Sequence, residues 1–109
     1  MNHDFDAQRE DTISVWNDLS SRQSLPDTAT LQLQFVPAGT SADWDAFKAR
    51  LSAAGYDSER YDDEEGETLE ASIGPIELGA DEIWKHEMVT TTLAIECGFE
   101  PDGWGFFSN

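Results

Sequence analysis

The sequence predicts an α+β fold, in which two helices cover one face of a four-stranded antiparallel sheet and a further helix precedes the sheet. Two patterns predict it: strictly alternating apolar and polar residues mark strands, and apolar residues about 3.6 positions apart mark helices. Along the chain they come in the order helix, then β-α-β-β-α-β, a split βαβ arrangement. The 109 residues are expected to form one domain over 1–109, with the extra helix at about 6–23 and the core at about 28–107.

The first half of the chain predicts a helix, a strand and a second helix. The helix over 6–23 has two possible capping aspartates and an apolar stripe, namely Asp4 or Asp6 as the cap and Ile13, Val15, Trp16 and Leu19 as the stripe. Residues 31–35 alternate strictly and predict a half-buried strand. The second helix is expected to open at Thr40 or Ser41, with Asp43 in its first turn and Gly55 as its stop. Its expected buried face consists of Trp44, Phe47, Leu51 and Ala54.

The second half predicts two strands, a helix and a closing strand. A short strand over 56–61 precedes a clearer one over 69–73, which Gly74-Pro75 is expected to end. The segment 81–97 predicts a helix capped by Asp81, although its β-branched run lowers helix propensity. The residues expected to share one face of that helix are Trp84, Met88, Thr91 and Ile95. A closing strand follows over 104–107, and the N-terminal helix is expected on an edge of the sheet or on its remaining face.

The net charge of −17 comes from 23 acidic and six basic residues, and it limits the possible partners. Such a charge repels phosphate backbones and anionic lipids, so direct binding to nucleic acid or a membrane surface is not expected. The charge is uneven, because residues 28–56 are neutral while 57–82 carry eleven acids and one base. The run 62–67, with five carboxylates in six residues, predicts a solvated turn between two strands. Its charges protect an edge strand from aggregation or dock a basic partner, and both interpretations stay open.

Residues typical of catalysis are present without a supporting arrangement. His3 near the terminus and His86 beside Lys85 are interpreted as solvated side chains, and Cys97 as a buried, inert thiol. The run 62–67 lacks the ligand spacing of a calcium loop. We therefore expect no catalytic residue, metal or cofactor. The single cysteine, and the absence of a signal peptide or a long apolar run, predict a cytoplasmic protein.

The tryptophans divide into two groups. Trp16, Trp44 and Trp84 lie on the apolar stripes of predicted helices and are expected in the core. Trp104 lies between two glycines, which let another chain segment approach closely. It is either buried against the N-terminal helix or exposed as an interface anchor. Pro101 is consistent with a closing strand at the edge of the sheet.

Several motifs, taken in chain order, resemble those of a known family. They are Gln8-Arg9-Glu10-Asp11-Thr12 in the opening helix, the alternating strand, Gly55-Tyr56, the acidic run and the closing Asp102-Gly103-Trp104-Gly105 with its following aromatics. With these motifs the chain resembles the regulator of ribonuclease activity B family over roughly residues 7–107. The best-known members carry a long acidic C-terminal tail, whereas this sequence ends at Asn109.

The resemblance implies a ferredoxin-like fold with an extra N-terminal helix. It also implies a non-enzymatic inhibitor that binds ribonuclease E and alters RNA decay without touching RNA. Family proteins act on the scaffold half of that enzyme, an extended region with arginine-rich stretches, which suits an acidic surface. The residues expected to bind the partner are Asp62, Asp63, Glu64, Glu65, Glu67, Asp102 and Trp104.

Two other interpretations of the acidic composition stay open. An acidic immunity protein or nucleic-acid mimic would block a different basic protein. A halophile-type acidic domain would owe its charge to surface hydration, and only two lysines among six basic residues fit that interpretation. An immunity protein or mimic would retain a different partner from a lysate than a ribonuclease regulator. A halophile-type domain would need molar salt to stay folded.

Overall fold

The fold is a four-stranded antiparallel sheet accompanied by three helices. A computed structural model of the chain describes residues 4–63 and 66–107, without the side chain of Asp63. The elements are α1 (Phe5–Arg22), β1 (Thr28–Pro37), α2 (Trp44–Ala53), β2 (Asp57–Asp63), β3 (Gly66–Glu77), α3 (Ala80–Glu96) and β4 (Phe99–Phe107). The strands lie in the order β2-β3-β1-β4, so β2 and β4 are the edges, as the sequence predicts. This order confirms the α+β, ferredoxin-like βαββαβ fold with an extra N-terminal helix.

The central strand β1 shows the predicted alternation. Its buried positions are Ala29, Leu31, Leu33 and Phe35. The ring of Phe35 meets the ring of Phe47 in α2 edge-on, with 5.3 Å between centroids. On the opposite side of the strand, the Gln32 side chain donates to the Glu70 carboxylate of β3 at 3.0 Å. The apolar side of β1 therefore faces the helices and its polar side faces away from them.

The strand β3 is longer than the sequence predicts, because Gly74-Pro75 does not end it. Leu31 pairs with Ile73 and Ala29 with Ile76, so β3 has one residue more than β1 between these pairs. A Cβ atom on Gly74 would lie 2.6 Å from the Cα atom of Thr30, so only glycine permits this approach. The bulge turns both isoleucines of β3 toward the core, although they are three positions apart.

The helix α2 begins later than predicted. Asp43 is its N-cap rather than a first-turn residue, and the Asp43 carboxylate accepts a hydrogen bond from the Ala46 backbone N–H at 3.1 Å. Thr40 and Ser41 precede the helix. The expected inner face is confirmed for Phe47 and Leu51, which are buried, whereas Trp44 is half-buried and Ala54 is exposed.

The helix α3 forms where predicted, but of its predicted face only Thr91 is fully buried. Its buried residues are Ile83, Glu87, Thr90, Thr91 and Ala94. Met88 and Ile95 of the predicted face are 46% and 41% exposed. A threonine can occupy the inner face because its hydroxyl bonds within the helix, as Thr90 Oγ1 does to the His86 carbonyl at 2.8 Å. Asp81 is not the cap: Gly79 holds that position, with no side-chain hydrogen bond.

The helix α1 packs mainly against α3, and one of its sides lies near the edge strand β4. Asp4 is its cap, accepting from the Ala7 backbone N–H at 3.0 Å. Thr12 is its buried residue and Trp16 packs against the core. Val15 is 47% exposed, so its predicted place in the inner stripe is wrong. The position of α1 on α3 brings one side of the helix near β4.

Candidate functional site

An open groove of about 590 Å³ lies where α1, α3 and β4 meet. We call it the acidic groove. The described residues that line it are Asp4, Ala7, Gln8, Asp11, Thr12 and Val15 of α1 and its cap, Glu87 of α3, and Pro101, Asp102, Gly103 and Trp104 of β4. The α1 residues follow one another at intervals of one or three positions, which places them on one face of the helix.

A bulge in β4 shapes the strand wall of the groove. Leu33 pairs with Trp104 and Phe35 with Pro101, so Asp102 is an extra residue on β4. Because paired residues share a face of the sheet, Trp104 lies on the helix side with the buried leucine of β1. Its indole packs partly against the core and stacks on the Phe106 ring at 6.5 Å between centroids. Trp104 is thus half-buried beside α1. This is intermediate between full burial against the N-terminal helix and exposure as an interface anchor, the two possibilities that the sequence left open.

Glu87 closes the groove on the side of α3. Its side chain is 6% exposed, and Glu87 Oε1 accepts a hydrogen bond from the Thr12 hydroxyl. Gln8 Nε2 donates to Glu87 Oε2 at 2.9 Å and to Thr91 Oγ1 at 3.1 Å. Burial raises the pKa of Glu87, the hydrogen bonds from Thr12 and Gln8 act in the opposite direction, and the nearby Asp11 carboxylate adds to the increase. These contacts connect α1 to α3 through buried polar groups.

The electrostatic character of the groove is anionic. Four of its residues carry carboxyl groups, namely Asp4, Asp11, Glu87 and Asp102. None of the described residues that line it is lysine, arginine or histidine. An indole ring beside carboxylates suits a cation, which the ring face and the negative charges both attract. The same charges repel anionic ligands such as phosphates.

The acidic run has a different setting. Asp62 pairs with Glu67 across the β2–β3 hairpin, and the Glu67 carboxylate forms an ion pair with Arg60. The Arg60 guanidinium also lies 4.0 Å above the ring centroid of Trp44. Part of the charge of this run is therefore matched within the molecule.

Part of the predicted site falls outside the residues that the structure describes. Glu64 and Glu65 lie outside the described residues, and so does the side chain of Asp63. The other predicted residues fall into two groups: Asp62 on the edge strand β2 with Glu67 beside it on β3, and Asp102 with Trp104 on the opposite edge strand β4. Three strand spacings of about 4.8 Å separate these edges by roughly 14 Å, so the structure does not bring the groups together.

The interpretation of His86 as a solvated side chain is wrong. Its side chain is 12% exposed, and its Nδ1 atom lies 2.7 Å from the Tyr56 hydroxyl. Burial lowers the pKa of His86, opposed in part by the Glu82 carboxylate. Cys97 is buried, as predicted, and burial raises the pKa of its thiol. His3 lies outside the described residues.

The three helical tryptophans differ in their surroundings. Trp16 and Trp44 pack against the core, as expected, and the Trp44 ring meets Phe99 edge-on at 4.8 Å. Trp84 meets the Phe5 ring of α1 at 6.4 Å, so it contributes to the α1–α3 contact. All three are half-buried.

Within residues 4–63 and 66–107, no group of three His, Cys, Asp or Glu side chains is arranged to hold a metal ion. In the same residues, no helix is long and apolar enough to cross a membrane.

Of the groove residues, sequence reasoning assigned Asp102 and Trp104 to the site and left out Asp11. It also missed the polar side chains between the two helices, namely Gln8, Thr12 and Glu87. They are polar residues on the inner faces of two helices. A buried helix face that is predicted from apolar residues alone does not include them. The available signal was indirect. If the buried face of α3 does not contain Met88, the alternative face contains Glu87. A buried carboxylate requires hydrogen-bond donors, which a neighbouring element must supply.

Comparison with known protein families gives a match. The family model described as regulator of ribonuclease activity B matches residues 9–106. The matched range contains Asp11, Thr12, Glu87, Asp102 and Trp104 of the acidic groove. A search of curated proteins finds no significant match.

Proposed function

The chain belongs to the regulator of ribonuclease activity B family, and from this premise we propose that it binds ribonuclease E and inhibits its endonuclease activity. The family regulates ribonuclease activity and is not catalytic. The proposed mechanism is docking of protein on protein: a basic segment of the enzyme's scaffold region binds this chain, which itself acts as no enzyme. RNA decay changes because the enzyme is occupied. The proposed compartment is the cytoplasm, where the target RNA is degraded.

The observation that carries this proposal is the acidic groove. It combines the family's closing Asp102 and Trp104 with Asp11 of the opening helix, although these motifs lie at opposite ends of the sequence. Its carboxylates attract basic side chains, and its depth allows them to be partly desolvated, which strengthens charge pairing. A net charge of −17 disfavours the alternative of direct RNA binding.

We assign a second role to the acidic run at the β2–β3 hairpin. Its carboxylates add long-range attraction that speeds the encounter with a basic partner. They belong to Asp62, Asp63, Glu64, Glu65 and Glu67. Such exposed charges affect association rates more than the lifetime of the complex. The run also gives the β2 edge the charge that discourages pairing between sheets. The groove provides the contacts and the hairpin provides the attraction.

A direct test measures binding to the scaffold region of ribonuclease E and inhibition of RNA cleavage. Binding should weaken steeply between about 0.05 M and about 1 M salt, because exposed charges are screened at high ionic strength. The variant Asp11→Asn/Asp102→Asn should weaken binding about tenfold, since two charge contacts of about 0.7 kcal/mol each are lost. The control Asp57→Asn/Glu77→Gln removes the same charge at exposed positions outside the groove.

The outcomes separate the possibilities. Equal effects of the two double variants would contradict the groove as the contact site and leave general charge attraction. Failure of the wild type to bind ribonuclease E, with retention of another basic protein from a lysate, would favour the immunity or mimic interpretation. A need for molar salt to stay folded would favour the halophile interpretation.

A further inference from the structure

Among the described residues, Arg60 shows how this fold holds an arginine side chain on its surface. The Arg60 guanidinium lies 4.0 Å from the centroid of the Trp44 ring and is paired with the Glu67 carboxylate. Asp43 and Asp45 line the same surface pocket. A tryptophan face, a carboxylate and neighbouring acids thus hold a guanidinium on the surface of this fold.

The acidic groove contains the same components without the cation. Trp104 supplies the ring, and Asp11 and Asp102 supply exposed carboxylates on the two facing walls. No arginine or lysine occurs among the described residues that line it. Its volume of about 590 Å³ lies within the range of about 300–1,000 Å³ that is typical of ligand pockets. A side chain from another molecule can therefore enter.

Arginine fits this arrangement better than the other possible occupants. Its guanidinium is planar, stacks on an indole, and presents several N–H donors to carboxylates on two sides. The ammonium of lysine is a compact and strongly hydrated charge, which gains less from the ring face. An apolar side chain would bring the carboxylates out of water without a partner, which is costly.

We propose that the acidic groove binds one arginine side chain of the partner protein, with its guanidinium on the Trp104 ring and its N–H groups donating to Asp11 and Asp102. This inference rests on the proposed function, because it assigns the chemistry of the same docking site. Glu87 is a positioning residue here: its contacts with Thr12 and Gln8 hold α1, and with it Asp11, opposite β4. Specificity for arginine over lysine follows from the ring and from the two carboxylate walls.

The test uses three short peptides that differ at one position, with arginine, lysine or citrulline in an otherwise uncharged polar sequence. Citrulline keeps the shape of arginine and lacks its charge. Binding is followed by NMR titration of the full chain, through the indole N–H signal of Trp104, which the variant Trp104→Phe identifies. We expect the arginine peptide to bind at least about fivefold more tightly than the lysine peptide, and the citrulline peptide to leave the signal unchanged.

The matched variants locate the effect. Asp11→Asn/Asp102→Asn should abolish the preference for arginine, whereas Asp57→Asn/Glu77→Gln should keep it. Trp104→Phe retains a ring that packs and should keep a reduced preference, which is followed through backbone amide signals because this variant lacks the indole N–H. The same amide spectrum checks the folding of each variant. Equal affinity for arginine and lysine, or an unchanged preference in the groove variant, would overturn the inference.

The peptide titration tests the arginine site, and the ribonuclease E assay tests the proposed function, so either proposal can be refuted without the other. If the wild type does not bind ribonuclease E but does select the arginine peptide, the groove chemistry stands and the proposed function is wrong. If it binds ribonuclease E and treats arginine and lysine alike, the proposed function stands and the arginine site is wrong.

Discussion

Replacing Thr12 by valine tests the buried contact that joins α1 to α3. The variant keeps the β-branched shape and removes the hydroxyl that donates to Glu87 Oε1. Because Thr12 is 2% exposed and Glu87 6% exposed, water does not readily replace the lost donor. Hydrogen bonds to charged groups contribute about 1.5–3 kcal/mol. We therefore expect the free energy of unfolding to fall by about 2 kcal/mol, which corresponds to roughly 10 °C in Tm for a domain of this size.

The measurement is urea denaturation at neutral pH, followed by tryptophan fluorescence. The matched control is Thr92→Val, another helical threonine, which is exposed and whose hydroxyl bonds to the Met88 carbonyl at 2.8 Å. Its loss should cost less than about 0.5 kcal/mol, as is usual for surface substitutions. Equal losses in the two variants would show that the Thr12 hydroxyl does not hold α1 in place.

The cost of Thr12→Val should also depend on pH. The Thr12 hydrogen bond acts to lower the pKa of Glu87, which means that it favours the ionised carboxylate. Removing it is then most costly where Glu87 is ionised in the folded protein. The difference from wild type should shrink as the pH falls toward and below the ordinary value of 4.5, where the group is protonated in both states. A difference that stays constant across this range would refute the reasoning.

Three further substitutions test separate parts of the fold. Gly74→Ala should destabilise by about 3 kcal/mol, since its Cβ would lie 2.6 Å from Thr30 Cα, whereas a Cβ at Gly39 meets nothing within 4 Å and its alanine variant serves as the control in denaturation. Burial raises the pKa of Glu87, so the stability of wild type relative to Glu87→Gln should decline as the pH rises above 4.5; a level difference in urea titrations would contradict this. Burial lowers the pKa of His86, so the folded state resists protonation, and stability relative to His86→Gln should decline as the pH drops below 6.5. Parallel pH profiles of that variant and wild type would speak against the buried setting of the imidazole.

The strand order and the fold class could be predicted because their signals are local and repeated. The alternation in 31–35 sets one face of β1, and the element order allows few arrangements of a split βαβ sheet. Asp102 and Trp104 could be selected because a resemblance drew attention to the closing motif. Their meeting with α1 could not be predicted, since it depends on how α1 packs against α3.

The misplaced features share a physical cause, which is that polar groups can be buried when a distant or local partner satisfies them. His86 was interpreted as solvated from its neighbour Lys85, yet the Tyr56 hydroxyl lies at hydrogen-bonding distance from its ring. Glu87 takes its donors from residues that are more than seventy positions away. The bulge at Gly74 is similar, since the close approach to Thr30 belongs to the pairing of two strands. Periodicity within one segment contains none of this information.

In the proposed complex, the two sheet edges have different roles, which follow from the distribution of charge between them. On β2 the acids are dense, and Arg60 of this strand, which is paired with Glu67 of β3, already lies in the surface pocket beside Trp44. On β4 the acids are few, but the bulge at Asp102 and the half-buried Trp104 meet the carboxylates of α1 across a groove. Binding energy depends on desolvated contacts more than on the number of exposed charges. For the proposed complex, the edge with less charge is therefore the better candidate for the contact site, and α1 is the element that completes its groove.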